Sequence, residues 1–261
     1  MTDHFVTSDL RAPGVQYITL DHPETRNALS DELLDQLLAA LEAAGADDSI
    51  RVVVITSSHE RIFSSGGNLK AFGDDRSVEE KFEGLGRFPR LYTLIGELGK
   101  PVVCAANGDV LAGAFGLALA CDLVIAKKSA RFGCPEINVG VFPFMISALI
   151  YRNIDRMKAN ELMMFGDLVT ADEGAALGFV NRVVAPDDFD AETLAWASRI
   201  ATKSPLLMRM GKRAINATRD RALGDALEVL RGELAAAFAT ADMKEGVAAF
   251  QEKRQPHWSL R

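Results

Sequence analysis

The chain has 261 residues, of which 48% are hydrophobic and 25% charged, and its formal net charge is −7. That length supports one large or two smaller globular units with a sizeable core, and the acidic balance argues against a nucleic-acid partner, which needs a basic face. No apolar run reaches the roughly 20 residues that span a bilayer, and no basic, apolar, small-residue leader opens the chain. The cysteines (Cys104, Cys121, Cys134) form no Cys-x-x-Cys pair and are odd in number, the pattern of reduced packing residues. A cytoplasmic protein without membrane association is expected. The scattered histidines argue against a metal site.

Val15 to Leu20 is rich in β-formers and predicts a strand ending at Asp21-His22-Pro23. After the loop Arg26 to Leu29, Ser30 has the character of an N-cap, and Leu33, Leu34, Leu37, Leu38 and Leu41 repeat with helical period up to Gly45. The β-branched run over Arg51 to Thr56 predicts a strand buried on both faces, and this β, α, β order predicts parallel pairing. Phe63 to Lys70 is a glycine turn following that strand. Charged residues 74–80 lead into one amphipathic helix over Val78 to Leu98, stopped by Gly99 and Pro101. Val102 to Ala106 and Leu123 to Ala126 are further strands. Between them, Asn107 to Asp122 turns and enters a small-residue helix whose start is built around Gly113. A strand that passes through glycine into a helix leaves N–H groups pointing outward at the positive end of the helix dipole.

Glu136 then follows a proline in the apolar stretch Phe132 to Phe142. Helices are expected over Pro143 to Tyr151 and Arg156 to Phe165, a capping-box helix from Thr170, and a short strand over Phe179 to Val184. From Asp187 onward the pattern is helical, dividing an α/β part (1–186) from a helical part (187–261). Lys203, Arg209, Lys212 and Arg213 read as a solvated helix face. The amphipathic stretch Asp242 to Trp258 is suited to cover its own core or a neighbouring subunit.

Two loops that each offer a backbone N–H are what an oxyanion hole requires, each donor being worth about 10² to 10³ in rate. A carbonyl oxygen held there acidifies the adjacent C–H, and a nearby carboxylate can take the proton. Gly67, Gly113 and Glu136 are the candidates, on the condition that the fold brings them together.

These segments resemble the enoyl-CoA hydratase/isomerase, or crotonase, family along nearly the whole chain. Ile18 to Ser30 resembles its opening strand and CoA-side loop, Phe63 to Lys70 and Asn107 to Asp122 its two oxyanion segments, and Phe132 to Ile137 its catalytic loop. The later segments Thr170 to Val184 and Phe250 to Pro256 resemble it too. The resemblance implies an α/β fold, a spiral of ββα units with a C-terminal helical trimerisation region, assembled as a homotrimer or hexamer. It implies that the Gly67 and Gly113 N–H groups hold the thioester oxygen of an acyl-CoA and that Glu136 moves the proton. Ser65, Gly67, Asn68, Leu69 and Lys70 would belong to the CoA site, with Arg26 and Lys253 as further contacts. No cofactor is implied, since coenzyme A is part of the substrate.

Two positions depart from that pattern. Hydratases of the family carry a first glutamate where this chain has Gly116, and a glycine where it has Phe144, a bulky residue that would narrow or redirect the acyl pocket. One carboxylate suffices to shift a double bond, whereas hydration uses two well, so Δ3,Δ2-enoyl-CoA isomerase-type chemistry is favoured over hydration. Other thioester-enolate reactions, such as decarboxylation or C–C cleavage, and a catalytically weak acyl-CoA-binding protein are the alternatives. Asp74, Asp75, Glu79 and Glu80 are the residues that could supply a second acid by folding over the pocket.

Overall fold

The computed structural model describes residues 4–68, 73 and 75–259. Two sheets organise it. The six-stranded one has the order β1 (Val6–Ala12), β2 (Val15–Leu20), β3 (Val52–Ser57), β5 (Val102–Ala106), β7 (Leu123–Lys127), β10 (Arg182–Val184). The four-stranded one has the order β4 (Ile62–Ser64), β6 (Asp109–Leu111), β8 (Arg131–Gly133), β9 (Val169–Thr170). Each of β3/β4, β5/β6 and β7/β8 places one strand in either sheet before the chain advances, so the fold is a spiral of strand pairs separated by helices. The expected parallel pairing holds, with Val15 to Leu20 in register with Val52 to Ser57.

The β-branched run in β3 is buried on both faces because its side chains alternate between two cores. Val53 and Ile55 pack with the leucines of helix α1 (Asp31–Ala46). Val52 and Val54 pack with Phe189, Ala197 and Ala201 of a later helix (Phe189–Ala201). The first helix beyond residue 187 therefore closes one face of the large sheet. Ser30 caps α1 by accepting from the Leu33 N–H at 3.2 Å, and Thr170 with Glu173 completes the expected capping box.

Several elements differ from the sequence reading. The polar strand β1 pairs antiparallel with β2 at the edge of the sheet, where its mostly exposed side chains leave little apolar pattern to read. The single helix expected over Val78 to Leu98 is two, α2 (Val78–Leu85) and α3 (Arg87–Glu97), meeting at Gly86. Strands β6 and β8 are too short to leave a periodic signature. Lys212 is not on a solvated face: its side chain is only 8% exposed and its ammonium donates to Asp122 at 2.6 Å and to the Lys100 carbonyl at 2.9 Å. It lies there because its helix (Pro205–Thr218) crosses the end of the sheet where β5 and β7 begin.

Candidate active site

Strands β4, β6 and β8 run parallel side by side, with Ser64 opposite Val110 and Leu111 opposite Gly133. Each ends within a few residues of a candidate group: Gly67 after β4, Gly113 after β6 and Glu136 after β8. Three segments far apart in sequence thus deliver their loops to one edge, the usual place for a site in parallel sheets.

The two glycine turns are in direct contact. A Cβ at Gly66 would lie 3.2 Å from the Gly113 nitrogen and 2.4 Å from the Ala112 Cβ, and Gly66 has φ of +85°. Only a residue without a side chain permits this approach. Gly67 forms a parallel bridge with Leu29, whose N–H donates to the Gly66 carbonyl at 2.8 Å. In that bridge the flanking residues carry the bonds, so the Gly67 N–H points away from it. Helix α4 (Gly113–Ala120) begins at the second turn, and Ala112 before it has φ 54° and ψ −128°. A non-glycine residue held there stores about 1–3 kcal/mol of strain. The Ala112 N–H donates to the Gly133 carbonyl at 2.9 Å, which ties the turn to β8. Neither the Gly67 nor the Gly113 N–H has a backbone acceptor among the described residues. Two free donors on adjacent turns, one at a helix N-terminus, can receive an oxygen that gains negative charge.

Glu136 sits in a 3-10 turn (Pro135–Val139) that Pro135 starts and Gly140, with φ of 82°, ends. Its Oε2 is buried and has no hydrogen-bond partner among the described residues. Burial pushes its carboxyl up to about 7, and its own backbone N–H opposes this only in part. A buried carboxyl poised near neutrality, with Oε2 unpartnered, is suited to take and return protons. The Cys134 thiol is pushed up to about 12 by burial and by Glu136, which disfavours its thiolate.

The surroundings come from α3. Phe88 covers the second turn, its Cε1 standing 2.8 Å from where a Cβ at Gly113 would be. One helical turn on, the Tyr92 hydroxyl donates to the Gly113 carbonyl at 2.8 Å. A Cβ at Gly116 would lie 2.7 Å from that hydroxyl and 2.6 Å from Ile146 Cγ2. The Tyr92 phenol is held well above its usual range by burial and by Glu136. The sequence reading does not single out Phe88 and Tyr92; their i, i+4 spacing on an amphipathic helix is the signal that places them on one face.

Arg26 and Asn68, the residue after Gly67, line a cavity of about 740 Å³ with His22, Ala28, Glu24 and Glu32. Asn27 fixes this loop. Its buried amide donates to Ser57 Oγ at 2.7 Å and the Phe63 carbonyl at 3.1 Å, and its oxygen accepts from the His22 N–H at 2.7 Å. Ser64 Oγ and the Ser65 N–H donate back to the Asn27 and Arg26 carbonyls. Arg26, Ser65, Gly67 and Asn68 are thereby one neighbourhood. Leu69, Lys70 and Asp74 lie outside the described residues. Lys253 is exposed at the end of the last helix (Ala241–Glu252) and is not among the residues lining the Arg26 cavity. Phe144 begins helix α5 (Phe144–Asn153), 74% exposed and with its ring 5.4 Å from that of Phe142. Among the described residues there is no metal-ligand cluster, and no helix is long and apolar enough to cross a membrane.

The family model for enoyl-CoA hydratase/isomerase matches residues 11–261. The chain belongs to the enoyl-CoA hydratase/isomerase family. It is 36% identical to a putative enoyl-CoA hydratase of Thermus thermophilus, over 94% of this chain and 97% of that one. It is 34% identical to the 2,3-dehydroadipyl-CoA hydratase of Escherichia coli, over 96% and 97%. Among solved structures, an enoyl-CoA hydratase of Mycobacterium smegmatis superposes with a TM-score of 0.94 at 33% identity, covering 98% and 99% of the two chains. The spiral of the family's fold, expected from the sequence, is the architecture of this chain, and the chain is an enzyme of the crotonase superfamily.

Proposed function

We propose that this enoyl-CoA hydratase/isomerase family member uses Glu136 as its sole proton carrier and moves a double bond from C3 to C2 of an enoyl-CoA. The observation that carries this reading is Gly116, which offers no carboxylate and whose side-chain space is taken by Tyr92 and Ile146. The thioester oxygen would accept from the Gly67 and Gly113 N–H groups. Glu136 would take a proton from C2, leaving a dienolate on those donors, and its acid form would return the proton at C4. The CoA portion would lie along Arg26 and Asn68 in the cavity they line, with Ser65, Leu69, Lys70 and Lys253 as the further contacts that the resemblance implies.

A second reading, hydration of a 2-enoyl-CoA, is favoured by the relatives named as hydratases. Both readings share the thioester enolate and Glu136. A panel of 3-enoyl-, 2-enoyl- and malonyl-type CoA esters separates them: faster turnover of the 3-enoyl ester supports isomerisation, and faster water addition to the 2-enoyl ester overturns it.

Self-assembly follows from the same resemblance. Leu223, Leu227, Leu234 and Phe238 lie on one face of the helix Leu223–Phe238 and are each more than half exposed, as is Phe250 at 86%. Such a face suits burial against further copies of the chain as a trimer or hexamer, which light scattering in solution would register.

A further inference from the structure

Tyr92 holds two relations to the site at once. Its hydroxyl donates to the Gly113 carbonyl at 2.8 Å, and its oxygen stands 2.7 Å from where a side chain at 116 would begin. Ile146 Cγ2 closes the same corner from the other side at 2.6 Å. Real side chains do not approach so closely, so a residue larger than glycine enters only if both neighbours move.

We propose that Tyr92 is a specificity-determining and positioning residue: it anchors the donor turn through the Gly113 carbonyl and keeps any acid out of position 116. This inference rests on the proton-transfer reading above. With its proton committed to Gly113, the phenol oxygen turns only lone pairs toward the rest of the corner. It can accept a hydrogen bond there but supplies no base. A water in that corner therefore gains no second base from Tyr92, while the substrate's C–H proton still reaches Glu136. The Gly113 carbonyl belongs to the first turn of α4, the helix that presents the Gly113 N–H. Fixing that carbonyl helps hold the donor in place, because the Gly113 N–H and C=O belong to one residue whose φ and ψ are set by the first turn of the helix.

The test has two arms. In the first, Tyr92→Phe removes the hydroxyl and keeps the ring. The expected result is a KM for a 3-enoyl-CoA within about twofold of the parent and a kcat lower by about tenfold, the scale of one hydrogen bond. A merely structural role would lower the unfolding midpoint and leave kcat unchanged wherever the variant is folded. In the second, Gly116→Glu is made in the unmodified chain and in a chain already carrying Tyr92→Ala and Ile146→Leu, the latter lacking the Cγ2 branch. Gly116→Glu is expected to raise hydration of a 2-enoyl-CoA by about 10² only in the cleared background, the scale of one gained acid or base. Parental kcat and KM in Tyr92→Phe, or equal hydration by Gly116→Glu alone, overturns the proposal. If the parent protein moves no double bond, the proton-transfer reading falls by itself, and the second arm still reports on Tyr92 through hydration.

Discussion

The Tyr92 hydroxyl and the Gly113 carbonyl are 2.8 Å apart, and this bond joins the middle of α3 to the helix start that carries one of the two free N–H donors. It passes beside Gly116, the buried glycine that the sequence resemblance matches to an acid of the family's hydratases. Adding even one methyl there sets a Cβ against both Tyr92 and Ile146. Gly116→Ala is expected to destabilise the fold by about 1–3 kcal/mol, the cost of overpacking a tight core. Urea unfolding, read at constant m-value, measures it; an unchanged midpoint would mean that this corner is loosely packed.

Glu136 titrates at about 7 in the folded chain, pushed up by burial from an ordinary value near 4.5. Base activity requires the carboxylate, so kcat/KM is expected to rise through pH 7 and level off above it. Stability runs the opposite way. Below about pH 4.5 the group is protonated in both states and has no effect; between 4.5 and 7 the unfolded chain ionises first and stability falls; above 7 the loss is complete. Glu136→Gln removes this penalty. At pH 8 it is expected to gain about 2 kcal/mol after discounting for partial solvation, with little gain at pH 4. Thermal unfolding of the pair at the two pH values checks the sign.

Strands β6 and β8 are also clamped by side chains. Asp109 accepts from the Arg131 backbone N–H at 3.0 Å and from its guanidinium at 3.2 and 2.5 Å, with the Asp109 side chain only 12% exposed. These strands lead to Gly113 and Glu136, so Arg131→Ala is expected to cost about 1–3 kcal/mol by leaving the carboxylate without its charged partner, and to lower kcat more than it raises KM. Steady-state kinetics beside an unfolding curve separates the two effects.

At Gly66, φ is +85° and a Cβ would lie 2.4 Å from that of Ala112 and 2.6 Å from the Leu111 carbonyl oxygen. Gly66→Ala must push the two turns apart. The expected loss is about 10² or more in kcat, the scale of one oxyanion donor, with the far-UV circular dichroism spectrum retained; parental kcat would show that the two turns are not coupled.

Much of this arrangement is legible in the sequence, for identifiable reasons. Val15–Leu20, Val102–Ala106 and Arg156–Phe165 carry dense periodic or β-branched signals and fall where those signals put them. Gly67, Gly113 and Glu136 can be named as candidates, yet their meeting depends on β4, β6 and β8, strands of three residues each that leave almost no pattern. Tyr92 is hidden for a related cause. An aromatic residue on an amphipathic helix has the character of core, and only the backbone of α4 reveals that its hydroxyl reaches the Gly113 carbonyl. Asn27, wholly buried, looks like an ordinary turn residue until its amide is seen bonded to β3 and β4. Lys212 shows the converse error, since helical spacing cannot tell a solvated cation from one laid across a sheet end.

Glu136, as the proposed proton carrier, must exchange protons with C2 of a bound thioester whose oxygen is held by the two turns. The direct measurement is the rate at which a saturated acyl-CoA exchanges its C2 protons with deuterated water, followed by NMR for the parent chain and Glu136→Gln between pH 5 and 9. Exchange is expected to rise through about pH 7 and to fall by at least about 10² in the variant, the scale of a lost general base, with binding of the CoA ester retained. Equal exchange in the two proteins, or none in the parent at any pH, would contradict that role for Glu136.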